Sequence, residues 1–254
     1  MRQLFITILS LALLPLFSCN AQLSDFRHYA DNFMDTPYKA QTLEVAGEPL
    51  VVNLGGVDCT TFVEYVVAAM VSGREPSPKD TDYCRALERI RYRDGERDGY
   101  MSRLHYASDW IGNNVKMGIL DEVTDEYSTT MGMKRLDFMT THYPSYPALS
   151  ADRALIEELR VIEDSISNEP YYYIPAHKVP EVAHKLNDGD IVLFMTAIEG
   201  LDFTHMGFVY KEDGHTKLLH ASTRYNKVCV DPDYLADYVI NNRRCTGIRV
   251  MRVK

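Results

Sequence analysis

Between residues 59 and 71, in "CTTFVEYVVAAMV", apolar side chains occupy nearly every turn position, with no alternation. A run of that length predicts a helix buried on most of its surface, and Gly73 stops it. Upstream, "SDFRHYADNFMD" places Phe26, Tyr29, Ala30 and Phe33 on one helical face, with Ser24 or Asp25 as cap. Pro37 restricts Thr36 and ends that helix. "TLEV" and "LVVNL" flank "AGEP" and predict a short hairpin. Further helices are expected over 79–93, over 103–117 with Gly118 as stop, and over 151–166 with Ser150 as cap. From residue 190 the pattern changes. "DIVLFMTA", "FTHMGFVY", "TKLLHAST", "KVCV" and "GIRVMRVK" are strand-like and separated by turn residues. Helices followed by a run of strands predict an α+β architecture with an antiparallel sheet.

The first residues stand apart from this pattern. Arg2 followed by "LFITILSLALLPLF" has the form of a signal peptide and is short for a membrane span. It ends in "LFSC", which resembles a bacterial lipobox with Cys19 as the lipidated residue. Cleavage after "CNA", at Ala21, is the rival pattern. Either predicts an exported chain, periplasmic or held at the outer membrane by a lipid on Cys19. Residues 1–19 then drop out of the fold, leaving 22–254 as one domain with an insertion at about 74–185. A hydrophobic content of 46% is ample for a core. The formal charge of −9 argues against nucleic acid as a partner.

The candidate chemistry lies at the mouth of the apolar helix, in "GGVDCTTFVEYVVAAM". A cysteine in a first helical turn sits near unpaired N–H groups and the positive end of the helix dipole, which favour the thiolate. Asp58 can cap the same helix. A small buried side chain is the alternative reading of Cys59. Eight histidines are candidate bases, and His205 and His220 lie inside strand patterns. Asp213-Gly214 between them predicts a two-residue turn. That turn pairs Glu212 with His215, Gly207 with His220 and His205 with Ser222. His205 and His220 then become diagonal neighbours on one face, about 7–8 Å apart at the backbone. A one-residue slip would separate them. No CxxC or HExxH spacing occurs, so no metal site is expected. Cys229 and Cys245 could pair.

Taken in order, "TPY", "GVDCTTFVE", "NDGDIVLF", "THMGFV" and "LLHAS" resemble the NlpC-type branch of papain-like cell-wall hydrolases, over about residues 36–72 and 186–253. "VDCTTFVE" and "RLHYASDWI" are similar to one subgroup, the N-acetylmuramoyl-L-alanine amidase-like proteins. The resemblance implies a papain-like α+β fold with a helical insertion between the nucleophile helix and the sheet. It implies Cys59 as nucleophile, His205 as general base and His220 as the residue that orients the imidazole. Tyr38 matches a tyrosine lining the site. Asp58 matches a position that binds a substrate amine in peptide-cleaving relatives. The implied substrates are peptidoglycan fragments (muropeptides), cut without a cofactor between N-acetylmuramic acid and L-alanine. The same motifs fit a D-glutamyl–diamino acid endopeptidase or a non-catalytic muropeptide-binding lipoprotein. In "RLHYASDWIGNN", Tyr106 and Trp110 share a helical face and are candidates for substrate contact, with core packing the other reading of Trp110.

Overall fold

The computed structural model describes residues 26–254. The leader expected around Cys19 and the caps expected at Ser24 or Asp25 lie outside them. Helix α1 (26–31) buries Phe26, Tyr29 and Ala30, and Phe33 beyond its end is buried with them. Helix α2 (Cys59–Ser72) starts with a reciprocal cap. Asp58 Oδ1 accepts the amide of Thr61 at 2.8 Å, and Thr61 Oγ1 accepts the amide of Asp58 at 2.9 Å. The helix ends at Gly73, which takes the left-handed conformation that an L side chain resists (φ 62°). Every residue from Thr61 to Ala69 is buried, as the unbroken apolar run requires. Phe62 meets Phe208 edge-on at 5.6 Å. Truncating such a ring to alanine costs about 3–5 kcal/mol.

The chain then runs through α3 (Thr81–Arg91), α4 (Ala107–Lys116), β1 (Leu120–Glu122) and β2 (Met131–Gly132). Next come α5 (Phe138–Thr141), α6 (Pro147–Ala151), α7 (Ala154–Ser167), β3 (Tyr171–Tyr172), β4 (Ile174–Pro175) and α8 (Val179–Val182). The final third holds β5 (Ile191–Thr196), β6 (Phe203–Glu212), β7 (His215–Ser222), β8 (Lys227–Tyr234), α9 (Leu235–Asn241) and β9 (Cys245–Val253). The main sheet has the order β1-β9-β5-β6-β7-β8, with β4 on β9 as well. Every pairing in it is antiparallel. β5 is buried along its whole length because both faces of the sheet are covered. Ile191, Leu193 and Met195 join the cluster under α2, while Val192 and Phe194 join a second cluster with Val179, Leu235 and Val239.

Several expectations fail, each for a local reason. Residues 42–54 form no hairpin. Their backbone groups bond to side chains instead: Val51 O accepts from Arg91 Nη1 at 2.7 Å, and Tyr65 OH accepts from the amide of Asn53 at 2.8 Å. Ser150 does not cap the helix after it. Pro147 opens the one-turn α6, which absorbs Ser150, and Asp152 Oδ1 accepts the amide of Ala154 at the start of α7. The helix expected from residue 103 begins at Ala107, with Asp202 Oδ2 accepting the amide of Ser108 at 2.7 Å. Cys229 and Cys245 are free thiols. They sit on β8 and β9, four strand spacings apart in the sheet order, or roughly 19 Å, beyond the reach of a disulfide.

Candidate active site

The β6–β7 hairpin aligns the two strand histidines. Asp213 and Gly214 both take positive φ (50° and 78°), the twist a two-residue hairpin needs. The register runs from Glu212↔His215 to Phe208↔Leu219. Gly207 therefore lies against His220: a Cβ placed there would come within 2.9 Å of His220 Cβ. With that space open, His205 Nε2 and His220 Nδ1 meet at 2.6 Å, their rings 79° apart. On its far side His220 Nε2 faces Asp231 Oδ2 of β8 at 3.3 Å, with 2% and 1% of the two side chains exposed. The other oxygen of Asp231 accepts the amide of Asp233 at 3.0 Å. Tyr238 of α9 packs edge-on against His220, 5.5 Å between ring centres, and also against Phe194.

Cys59 and His205 line one cavity of about 130 Å³ with His105, Trp110, Asp202 and Met206. Burial pushes the Cys59 thiol up to about 11, and the Asp58 carboxylate adds to the rise, against weaker help from the Met206 and Thr60 groups. Burial likewise holds His205 down at about 3, with the neighbouring His220 working in the same direction and Asp231 against it. The resting pair is therefore a neutral thiol and a neutral imidazole. This corrects the expectation of a thiolate favoured by the helix mouth: desolvation and the neighbouring carboxylate outweigh the dipole. Tyr38 stands close to both acids. Burial, then Cys59, then Asp58 push its phenol up to about 12. It is held by a bridge to Val57 and by its amide on Asn226 O at 2.9 Å.

The remaining candidates divide. Asp58 is committed to the cap of α2 through Thr61. Trp110 is 1% exposed within the main core, lines the cavity, and has no hydrogen-bond partner on Nε1. Tyr106 does not reach the cavity. Its ring packs with Leu136, Met139 and Leu159 inside the insertion. Its hydroxyl donates to Glu163 at 2.6 Å and accepts the amide of Met139 at 2.9 Å. As the residue before α4, it points away from the face that carries Trp110 into the cleft. His105 takes that place. Its Nε2 donates to Tyr100 O at 2.8 Å, and burial and the charge of Arg103 hold the ring neutral, down at about 3. Asp202 bonds the amides of Ser108 and Phe203, tying the insertion to the sheet beside the cavity.

Four of these residues were not singled out from the sequence: Asp231, Tyr238, Asp202 and His105 in its cavity role. Asp231 carried a signal, an acid directly after the strand-like "KVCV". Tyr238 carried none, because the short α9 was not anticipated. Among the described residues no group of three His, Cys, Asp or Glu is arranged to hold a metal ion.

A thiol mounted on a buried helix and an imidazole mounted on a sheet border one cavity of this α+β fold. The family comparison gives the class. Residues 28–248 match the AmiA-like family, described as N-acetylmuramoyl-L-alanine amidase-like, and the chain belongs to that family. A solved N-acetylmuramoyl-L-alanine amidase from Bacteroides uniformis ATCC 8492 is 38% identical over 92% of this chain and 99% of its own, with a TM-score of 0.86. A Bacteroides fragilis protein described as a "putative xylanase" is 39% identical over 89% of this chain and 100% of its own, with a TM-score of 0.82. Protein LPG0564 from Legionella pneumophila str. Philadelphia 1 shares the fold at 20% identity, over 93% and 91% of the two chains, with a TM-score of 0.68. No curated protein matches the chain.

Proposed function

We propose that this protein hydrolyses the amide between the lactyl group of N-acetylmuramic acid and L-alanine in peptidoglycan fragments, as a cysteine amidase of the NlpC-type, papain-like kind. The observation that carries the reading is the joint placement of Cys59 and His205 on one cavity, in a chain of the AmiA-like family. The neutral resting pair sets the order of events. His205 takes the thiol proton as the sulfur attacks the lactyl carbonyl, so charge develops only with the bond. The amide of Cys59, in the first turn of α2, would donate to the oxyanion. His205 then gives its proton to the leaving amine of L-alanine. Water, deprotonated by the same imidazole, cleaves the thioester and releases the lactyl acid. Trp110 supports a substrate wall here, since a substrate oxygen at its unpaired Nε1 would supply the missing bond.

A sugar-cleaving reading is disfavoured on chemical grounds. Glycosidases work with two carboxyl groups flanking the scissile bond. The cavity is lined by one carboxylate, Asp202, and both its oxygens already accept backbone amides. The test is incubation of the purified protein with a defined muropeptide, followed by weighing of the products. The expected products are an intact stem peptide beginning with L-alanine and a sugar ending in the free lactyl acid, and Cys59→Ala should release neither. Release of a peptide beginning at the diamino acid would establish the endopeptidase reading instead.

A further inference from the structure

His220 offers a nitrogen to each side, and each nitrogen faces a group whose hydrogen-bonding capacity is limited. On one side stands His205 Nε2, 2.6 Å from His220 Nδ1. On the other stands Asp231 Oδ2, 3.3 Å from His220 Nε2; the contact is off hydrogen-bond alignment, and neither of these two buried atoms has any other hydrogen-bond partner, so each is the nearest partner the other could take by a small turn of the ring. A neutral imidazole carries one proton, so exactly one of its nitrogens can donate. An ionised carboxylate can only accept. With Asp231 ionised, the proton of His220 belongs on Nε2, and Nδ1 is left as a lone pair. That lone pair must receive a proton from His205 Nε2. The one proton of neutral His205 is then fixed on Nε2, away from the cavity, and Nδ1 is bare.

We propose that Asp231 is a positioning residue which, by accepting the Nε2 proton of His220, fixes through it the His205 tautomer whose Nδ1 is free to take the proton of Cys59. The proposal rests on His205 being the base of the reaction described above. Three features of the surroundings support it. Asp231 and His220 are almost fully buried, so water does not compete for the contact. The second carboxylate oxygen is held by the amide of Asp233, which fixes the direction in which Oδ2 points. Burial by itself would raise the Asp231 carboxyl, but its contact with His220 and the Asp233 amide outweigh this and hold it below the usual carboxylate range.

The geometry makes an unusual demand on substitutions. In Asp231→Asn the oxygen is retained by the amide of Asp233, so the new NH₂ faces His220 Nε2. A donor there places a lone pair on Nε2 and moves the proton to Nδ1. His220 Nδ1 then donates to His205 Nε2, and the proton of His205 shifts to the nitrogen that should act as base. Asp231→Ala imposes neither tautomer. The isosteric amide should therefore be the more damaging change, whereas a purely structural carboxylate would make it the milder one. In serine proteases the corresponding acid-to-amide change costs roughly 10⁴-fold in kcat through the wrong tautomer.

The experiment combines turnover of a defined muropeptide with ¹⁵N NMR of histidine-labelled full-length protein at neutral pH. In the parent, the proton of His220 should be on Nε2 and that of His205 on Nε2. In Asp231→Asn both should move to Nδ1, with kcat falling about 10²–10⁴-fold, KM little changed and a larger loss than in Asp231→Ala. In a His220→Ala background, Asp231→Asn should add no further loss. A parent His220 protonated on Nδ1 overturns the proposal, and this needs no variant to fold. So does an Asp231→Asn protein more active than Asp231→Ala. Parent protein that leaves muropeptides uncut would refute the amidase reading, while the NMR still decides the tautomers.

Discussion

The β6–β7 hairpin and the helical insertion both supply walls of the cavity, yet they are built by opposite means. In the hairpin, a two-residue turn and strict alternation fix every side chain's face, and His205 and His220 meet across 15 residues of sequence. In the insertion, position is set by polar contacts between distant segments. Ser108 is held by Asp202, 94 residues away, and Tyr106 by Glu163, 57 residues away. Thr140 Oγ1 adds a 2.6 Å bond to the same Glu163. The hairpin thus places His205 and His220 through backbone geometry, while the insertion places a wall through buried side-chain hubs. Substitutions in the first should change chemistry at nearly constant stability, and substitutions in the second should do the reverse.

The largest effects are expected in the hairpin. His205→Ala should lower kcat by about 10²–10⁴-fold, the usual contribution of a general base. His220→Ala should cost less, and His220→Gln less again, with thermal unfolding close to that of the parent in all three. Steady-state kinetics beside calorimetry would check this, and an equal loss for both alanine variants would remove the distinction between base and orienter. In the insertion, Trp110→Ala should destabilise by about 3–5 kcal/mol as a large core truncation. Tyr106→Phe strips Glu163 and the amide of Met139 of a partner and should cost about 1–3 kcal/mol with kcat unchanged. Urea unfolding gives both figures. A Tyr106→Phe variant of normal stability but low kcat would show that the insertion acts on the chemistry directly.

The smallest effect sharpens the comparison through pH. His205 in the hairpin and His105 in the insertion are both held neutral, near 3, chiefly by burial. The unfolded chain protonates such groups near 6.5, so below that pH it binds protons the folded chain refuses. Stability is therefore lost as pH falls from 6.5 towards 3, by up to about 2 kcal/mol per ring at pH 5. His105→Asn and His205→Asn should each flatten the fall in unfolding midpoint between pH 7 and pH 5. An unchanged slope in both would show that the rings are protonated as readily folded as unfolded.

Legibility from sequence followed the same division. Helix α2, its Asp58 cap, the final run of strands and the Asp213-Gly214 register could all be read because local rules decide them: continuous burial, turn chemistry and a period of two. The shared cavity of Cys59 and His205 follows from those elements. What could not be read depends on partners far along the chain. Residues 42–54 look like a hairpin because "TLEV" and "LVVNL" flank "AGEP", but Arg91 and Tyr65 take up their backbone groups. Tyr106 and Trp110 share a face in an ideal helix, but α4 begins only after Tyr106, which turns instead into the insertion's core. The protonation of Cys59 was misjudged because the dipole is a local feature, whereas desolvation comes from everything packed around it. Asp231 was passed over because β8 continues past the apolar residues that mark a strand.

The central claim is that Cys59 acts on the lactyl carbonyl, and hydrolysis in H₂¹⁸O tests it most directly. When a muropeptide is turned over in labelled water, the oxygen that cleaves the thioester ends in the acyl product. The account predicts one ¹⁸O in the lactyl carboxyl of the sugar fragment, none in the stem peptide, and no incorporation with Cys59→Ala. Label in the carboxyl of an L-alanyl-D-glutamate product, or labelled sugar formed at the parent rate by Cys59→Ala, would contradict it.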